Sequence, residues 1–324
     1  LTETPAYKYG IDATYAMPEF DVRNNEIRSQ GLCKRTGKLK LQFLSGFETP
    51  NSQKLYYLPA IGYNMYNGFM AGAILHNIGI TRKNFEFIAM PFYGFGNKEL
   101  AGNVNIDYFI RPLNGFVKSI TFNASASRYA LAYANHFDRF VTGAALVLKN
   151  RKPTSRVKKE LLVRHIQVEY TPYLSASTIA EQPVKRSVGY NQLLFSFTDK
   201  RKLNPYGAIL DAQQGDGFAK ASATIYYFFA YNSVKRGLYI RLFAGTFLWK
   251  AADFANNPDV RFRLSGQTGS QDYLYQQIFI GRNELNGLWA RQMTETDGAF
   301  KVYSGRGQTL ERLLAINLKS GLPG

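Results

Sequence analysis

The chain has 324 residues, with 40 Lys and Arg against 23 Asp and Glu (a formal charge of +17), 45% hydrophobic and 15% aromatic residues. That much apolar material excludes a disordered chain and suffices for one large or two ordinary domains. A single cysteine, Cys33, excludes a disulfide framework and a cysteine-based zinc cluster.

In chain order, the predicted elements are strands. Residues 38–43 alternate polar and apolar side chains without a break. The longest uncharged run, residues 55–81, is long enough to cross a bilayer as a helix. It contains Pro59, Asn64, Asn67, His76 and Asn77 together with Gly62, Gly68, Gly72 and Gly79. As a helix it would leave polar groups in lipid and lose about 1 kcal/mol per glycine. Asn67-Gly68 instead divides the run into two strand-length halves, Asn-Gly being the strongest two-residue hairpin signal. Gly94-Phe-Gly96 opens like a dinucleotide-binding motif but continues Asn-Lys-Glu without a third glycine, and reads as a kink or turn in a hairpin.

Residues 103–108 alternate, and so do residues 119–127. In the latter, Ile120, Phe122, Ala124 and Ala126 face one way and Ser119, Thr121, Asn123, Ser125 and Ser127 the other. Strands over 140–148 and 160–170 flank a basic loop at 149–159, and further alternation marks Ile166/Val168/Tyr170 and Leu193/Phe195/Phe197. Gly215-Asp216-Gly217 separates a strand at 208–213 from one at 218–229, which sets Ala219, Ala221, Ala223, Ile225, Tyr227 and Phe229 opposite Lys220, Ser222, Thr224 and Tyr226. Residues 232–237 join that strand to 238–249, and Val260/Phe262/Leu264 and Leu314/Ile316/Leu318 complete the series. Only 308–315 resembles a helix, and its continuation to Lys319 reads better as a strand.

Period two over such windows gives strands with one apolar and one polar face. About 14 strands result, each near the 9–11 residues that a tilted membrane strand requires. No solenoid or propeller repeat and no low-complexity linker interrupts them, so a single all-β unit is expected. Alternation alone also fits a soluble β-sandwich. Three features favour a membrane barrel: strands longer than the usual five or six residues, aromatics toward the ends of the apolar faces, and opposite faces rich in charged or Asn, Gln, Ser and Thr side chains. A polar lumen accounts for the mean hydropathy of −0.25.

Catalytic constellations are nearly absent. His76, His136 and His165 lie on separate predicted hairpins, without a His-Glu-x-x-His, a Gly-x-Ser-x-Gly elbow or a phosphate-binding loop. Cys33 stands among Arg28, Lys34 and Arg35, a setting that lowers a thiol pKa, but it reads as incidental rather than as a nucleophile. The loop at 149–159 holds six basic residues, and no aromatic is interleaved to stack bases. It reads as a solvated loop first, a lipid-phosphate contact second and a nucleic-acid site a distant third. The glycine-rich polar stretch from Arg263 to Glu284 reads as a structural loop stapled by Tyr and Arg, or as a plug or partner-binding loop over the lumen.

Leu58-Pro-Ala-Ile-Gly-Tyr-Asn-Met-Tyr-Asn-Gly-Phe-Met70, Phe87-Ile-Ala-Met-Pro-Phe-Tyr-Gly-Phe95, Ile240-Arg-Leu-Phe-Ala-Gly-Thr-Phe247 and Gly269-Ser-Gln-Asp-Tyr273 resemble one family. It is the C-terminal outer-membrane β-barrel region of large Bacteroidota proteins whose N-terminal part is a gluzincin (aminopeptidase-like) metallopeptidase. Asp297-Gly-Ala-Phe-Lys-Val302 and Ile316-Asn-Leu-Lys-Ser320 fit the same resemblance. It implies an antiparallel transmembrane β-barrel over 34–324, preceded by an entry segment or first strand at 1–33. It further implies a cell outer-membrane location, and lipids or lipopolysaccharide and other outer-membrane proteins or lipoproteins as partners. Any zinc would belong to a preceding domain, so no catalytic, cofactor or metal residue is assigned in this chain. The N-terminal Leu-Thr-Glu-Thr-Pro is neither a signal peptide nor a cationic arm, and the family runs on beyond Gly324. The expectation is therefore a piece of a longer protein, with closing strands missing. The expected function is a non-enzymatic anchor for a peptidase-like domain or envelope assembly. A transport pore and a soluble binding module are the alternatives.

Overall fold

The computed structural model describes residues 8–12, 16, 25–29, 38–46, 52–80, 82–132, 135–171, 185–233, 236–252, 254, 260–302 and 304–321. Cys33, with Lys34 and Arg35, lies outside the described residues. A small antiparallel pair comes first, β1 (Lys8–Gly10) with β2 (Glu26–Arg28), separate from the main sheet. The next strands are β3 (Lys38–Phe43), β4 (Ser52–Asn64), β5 (Gly68–His76), β6 (Phe85–Gly94), β7 (Glu99–Ile110) and β8 (Val117–Ala132). Then follow β9 (Asn135–Leu148), β10 (Val157–Tyr170), β11 (Arg186–Asp199), β12 (Tyr206–Gly215), β13 (Phe218–Ser233) and β14 (Arg236–Lys250). A long connection carries the two-residue strands β15 (Phe262–Arg263), β16 (Gln267–Thr268), β17 (Met293–Thr294) and β18 (Gln308–Thr309) before β19 (Arg312–Ser320) returns to pair with β14.

β3 to β14 and β19 form one continuous 13-stranded sheet in chain order, every pair antiparallel except the parallel β3–β4. The fold is therefore all-β, and its large strands do not divide into two packed sheets. No pairing joins the edge strands β3 and β19 among the described residues, so the sheet has two free edges. The turns fall at the glycine signals. Gly68, after Asn67, takes φ +67° and Gly217 takes φ +76°, left-handed values that a side chain would resist. Gly94-Phe-Gly96 forms the turn between β6 and β7, and the stretch at 308–315, which had a partial helical pattern, is extended in β18 and β19.

One expected strand is absent. Val260/Phe262/Leu264 alternates, yet only Phe262–Arg263 is extended there. Val260 (1%), Phe262 (2%) and Arg263 (2%) are all buried, so both sides of this segment are covered and its alternation does not mark a sheet face. It belongs to the connection between β14 and β19, whose described residues Val260, Phe262, Tyr273 and Leu274 pack on one face of the sheet. Tyr273 and Leu274 pack there with Val141, Ile166, Val168, Tyr190 and Phe218 from β9, β10, β11 and β13, while Phe262 packs with Phe243 and Ala315 from β14 and β19. The same connection donates from Asn283 to the carbonyl of Leu131 in β8 and to the hydroxyl of Tyr66 beyond β4. A flat sheet would hold β4 and β13 roughly 40–45 Å apart at the usual strand spacing. The sheet curls around this segment, as sheets of more than about ten strands do.

Candidate functional site

The antiparallel meander sorts each strand into two faces. On β13, Lys220, Ser222, Thr224 and Tyr226 point toward the insert, whereas Ala219, Ala221, Ala223, Ile225, Tyr227 and Phe229 point away. Ile225 and Phe229 are 50% and 48% exposed, and on neighbouring strands Ile61, Leu100, Leu193, Leu210, Leu314 and Ile316 are exposed in the same register. The outer face is thus a continuous apolar surface that no described residue covers. Its middle is made of aliphatic and alanine side chains. Aromatics stand toward both ends: Tyr63 with Phe69 and Tyr93 with Phe95 at the end of the tight turns, Phe85, Tyr108, Phe229 and Tyr231 at the other. Period two and turn position had placed these faces in advance. The two aromatic belts required the register.

Toward the tight-turn end the outer face carries polar side chains, the Arg128–Asp138 ion pair on β8 and β9 and a ladder on β10–β12. His165 Nδ1 is 2.8 Å from Asn191 Oδ1, Asn191 donates to Gln214 at 2.8 Å, and Gln167 donates to Ser187 at 2.8 Å. These groups satisfy one another, which removes most of the cost of placing them beside apolar surface.

The covered face is polar and mutually bonded. Asn123 donates to Asn105 and Asp107, both at 2.8 Å, and Gln192 bridges Arg164 (2.6 Å) and Asp211 (2.8 Å). Between this face and the insert lies a cavity of about 530 Å³, walled by Arg164, Asp211, Lys220, Tyr239, Arg241 and Asp297, among others.

The insert is held by buried cations and aromatic rings. Arg282 sits 4.9 to 5.3 Å from the rings of Phe137, Tyr275 and Phe279. It donates to Gly269 O (2.9 Å) and Gln277 O (2.5 Å) and pairs with Asp272 at 3.3 Å. Burial lowers the Arg282 pKa, an effect that the Asp272 carboxylate opposes. Lys220 is 5% exposed, donates to Val260 O at 2.9 Å, and faces the rings of Phe262 and Tyr273, each at 4.8 Å. Arg139 donates to Leu274 O (2.8 Å) and Arg241 to Asp297 O (2.7 Å). The Tyr273 hydroxyl donates to Gln213, and its burial raises its pKa well above the ordinary phenol value. The stretch from Arg263 to Glu284 is thus stapled by Tyr and Arg against the sheet. Sequence reasoning named the residue types but missed Lys220, which alternation had grouped only with polar neighbours.

Asn67 does more than turn the chain. It is 1% exposed, accepts from the backbone N–H of Ala130 at 3.0 Å and donates to Asn97 at 3.2 Å, tying the β4–β5 turn to the β6–β7 turn and to β8.

The histidines do not meet. His76 lies against the ring of Tyr56 on the covered face (5.2 Å between centroids), and His136 stands 3.6 Å from Glu99 and 3.7 Å from Asp138 at the tight-turn end. His165 is in the outer polar ladder. Among the described residues no group of three His, Cys, Asp or Glu side chains is placed to hold a metal ion. The basic stretch at 149–159 is divided: residues 149–156 form the loop, whereas Val157, Lys158 and Lys159 open β10. No protein-family model matches the chain, and no functionally characterised protein matches it in sequence.

Proposed function

We propose that this chain is a non-enzymatic β-barrel domain of the cell outer membrane, its lumen filled by residues 260–302, that anchors a larger assembly. The observation that carries the reading is the division of one sheet into two unlike faces. The outer face is apolar with aromatic ends, and no described residue packs on it. The inner face is polar and holds a stapled insert. Lipid chains accept the first arrangement and headgroups the aromatic belts. Water does not accept an uncovered apolar surface on this scale, and a soluble sandwich would bury it under a second sheet. Strands such as β10 and β11 hold 14 residues each, enough for the roughly 9–11 that cross the hydrocarbon.

The edges β3 and β19 run in opposite directions. Closure therefore takes either direct antiparallel pairing of the two or an even number of intervening strands. The family resemblance supplies the anchored part: a metallopeptidase-like domain, which would carry the zinc, or envelope partners such as lipoproteins. The rival reading, a transport pore, draws on the polar cavity left between insert and sheet.

Three measurements test the proposal. The chain should insert into detergent micelles or lipid vesicles and migrate anomalously on unheated gels. Planar bilayers should show no steady conductance, because the insert fills the lumen. Ready solubility as a detergent-free monomer overturns the membrane reading, and a stable single-channel conductance moves the assignment to a pore.

A further inference from the structure

In an antiparallel meander every second connection returns to the same end. The connections at 77–84, 111–116, 149–156 and 200–205 therefore share one end of the sheet, opposite the tight turns. Each brings exposed cations: Arg82 and Arg111 on the first two, Arg151 and Lys152 on the third, Lys200 and Lys202 on the fourth. No exposed carboxylate accompanies them among the described residues. Asp199 (6% exposed) is buried and bound by Arg201, Glu86 (7%) is buried, and Glu160 is paired with Lys158. The opposite end is mixed, with exposed Asp216 and Glu311 beside Lys98 and Arg186. Among the described residues, exposed cations from four connections are thus gathered at one rim, from segments that no sequence window joins.

We propose that this rim binds the phosphates of anionic lipid headgroups in the adjoining leaflet. The assignment rests on the membrane reading above and gives it a specific partner. Two observations favour lipid over other anions. The cations stand directly beyond an outward aromatic belt, Phe85, Tyr108, Phe116 and Phe229, which is where headgroups lie if the apolar face meets acyl chains. They also stand spaced along the rim on separate connections. A row of separated charges suits many small headgroups, whereas a nucleic acid needs a track with stacking side chains between its charges.

The test uses the full chain refolded into phosphatidylcholine vesicles that hold trace spin-labelled phosphatidylglycerol or spin-labelled phosphatidylcholine, with the protein-associated fraction of each label read by electron spin resonance. Phosphatidylglycerol should be enriched severalfold over phosphatidylcholine, and high salt should remove most of the preference. The variant Arg151→Gln/Lys152→Gln/Lys200→Gln/Lys202→Gln should lose it, whereas Lys98→Gln/Arg186→Gln at the opposite end should keep it. Inserted protein with equal association of both labels, or with a preference that the four-residue variant leaves unchanged, overturns the rim assignment and leaves the membrane reading intact. Protein that stays outside the vesicles overturns both. Tight retention of a single-stranded oligonucleotide that the same variant abolishes, without lipid preference, gives the rim to nucleic acid and overturns the proposal.

Discussion

Ala223→Arg and Thr224→Arg place the same charge one residue apart on β13, and the two faces predict opposite results. Ala223 stands opposite Leu210 on β12 and Ala244 on β14, in a shallow apolar groove whose walls include Leu161, Leu193, Phe195 and Leu314. A guanidinium there faces acyl chains near the middle of the band and is expected to cost about 2–4 kcal/mol. That is about a 30- to 700-fold loss in the folding equilibrium. Thr224 faces the cavity of about 530 Å³, where Asp211, Glu295 and Asp297 lie on the walls. An arginine there has room, water and carboxylates, and should change stability by no more than about 1 kcal/mol in either direction. The assay is urea titration of protein refolded into phosphatidylcholine vesicles, followed by the shift between unheated and heated gel bands. Equal losses at the two positions, or the larger loss at Thr224, would refute the assignment of outer face to lipid and inner face to lumen.

Arg282→Met leaves Asp272, 2% exposed, as a buried carboxylate without its cation, and should loosen the insert at a cost of about 3–5 kcal/mol, read as faster proteolysis within 260–302 while the strands stay protected. Tyr273→Phe removes the bond to Gln213 and keeps the aromatic packing, so a loss of about 1 kcal/mol in the same titration is expected. Gly102→Ala should be worse than its size suggests. Gly102 has φ +134°, and a Cβ there would fall 1.9 Å from the Met90 carbonyl oxygen, so a loss of about 1–3 kcal/mol is expected from a lower urea midpoint. Chelator-washed protein should hold no stoichiometric zinc by elemental analysis. Zinc that is retained, then lost on replacing His76, His136 or His165, would overturn the non-enzymatic assignment.

Local chemistry alone determined most of the strands and their two-faced pattern, although many strands run past their alternating windows, as β8 (Val117–Ala132) does beyond 119–127. The reason is that period two and turn geometry act over a few residues: Ala219 to Phe229 must alternate wherever the strand goes, and Asn67-Gly68 must turn whatever packs on it. The same locality explains the failure at Val260/Phe262/Leu264, where an alternating word lies in a segment buried on both sides and forms no sheet face.

Only the tertiary structure decided what each polar residue meets. Lys220 reads as one more lumen-facing residue until Phe262 and Tyr273 come down over it, and Arg139 finds the Leu274 carbonyl across 135 positions of chain. Arg82, Arg111, Arg151 and Lys200 are ordinary loop cations in the linear chain. They become one rim because an antiparallel sheet returns alternate connections to the same end, and that convergence depends on strand order and register, which are set by contacts between segments far apart in sequence.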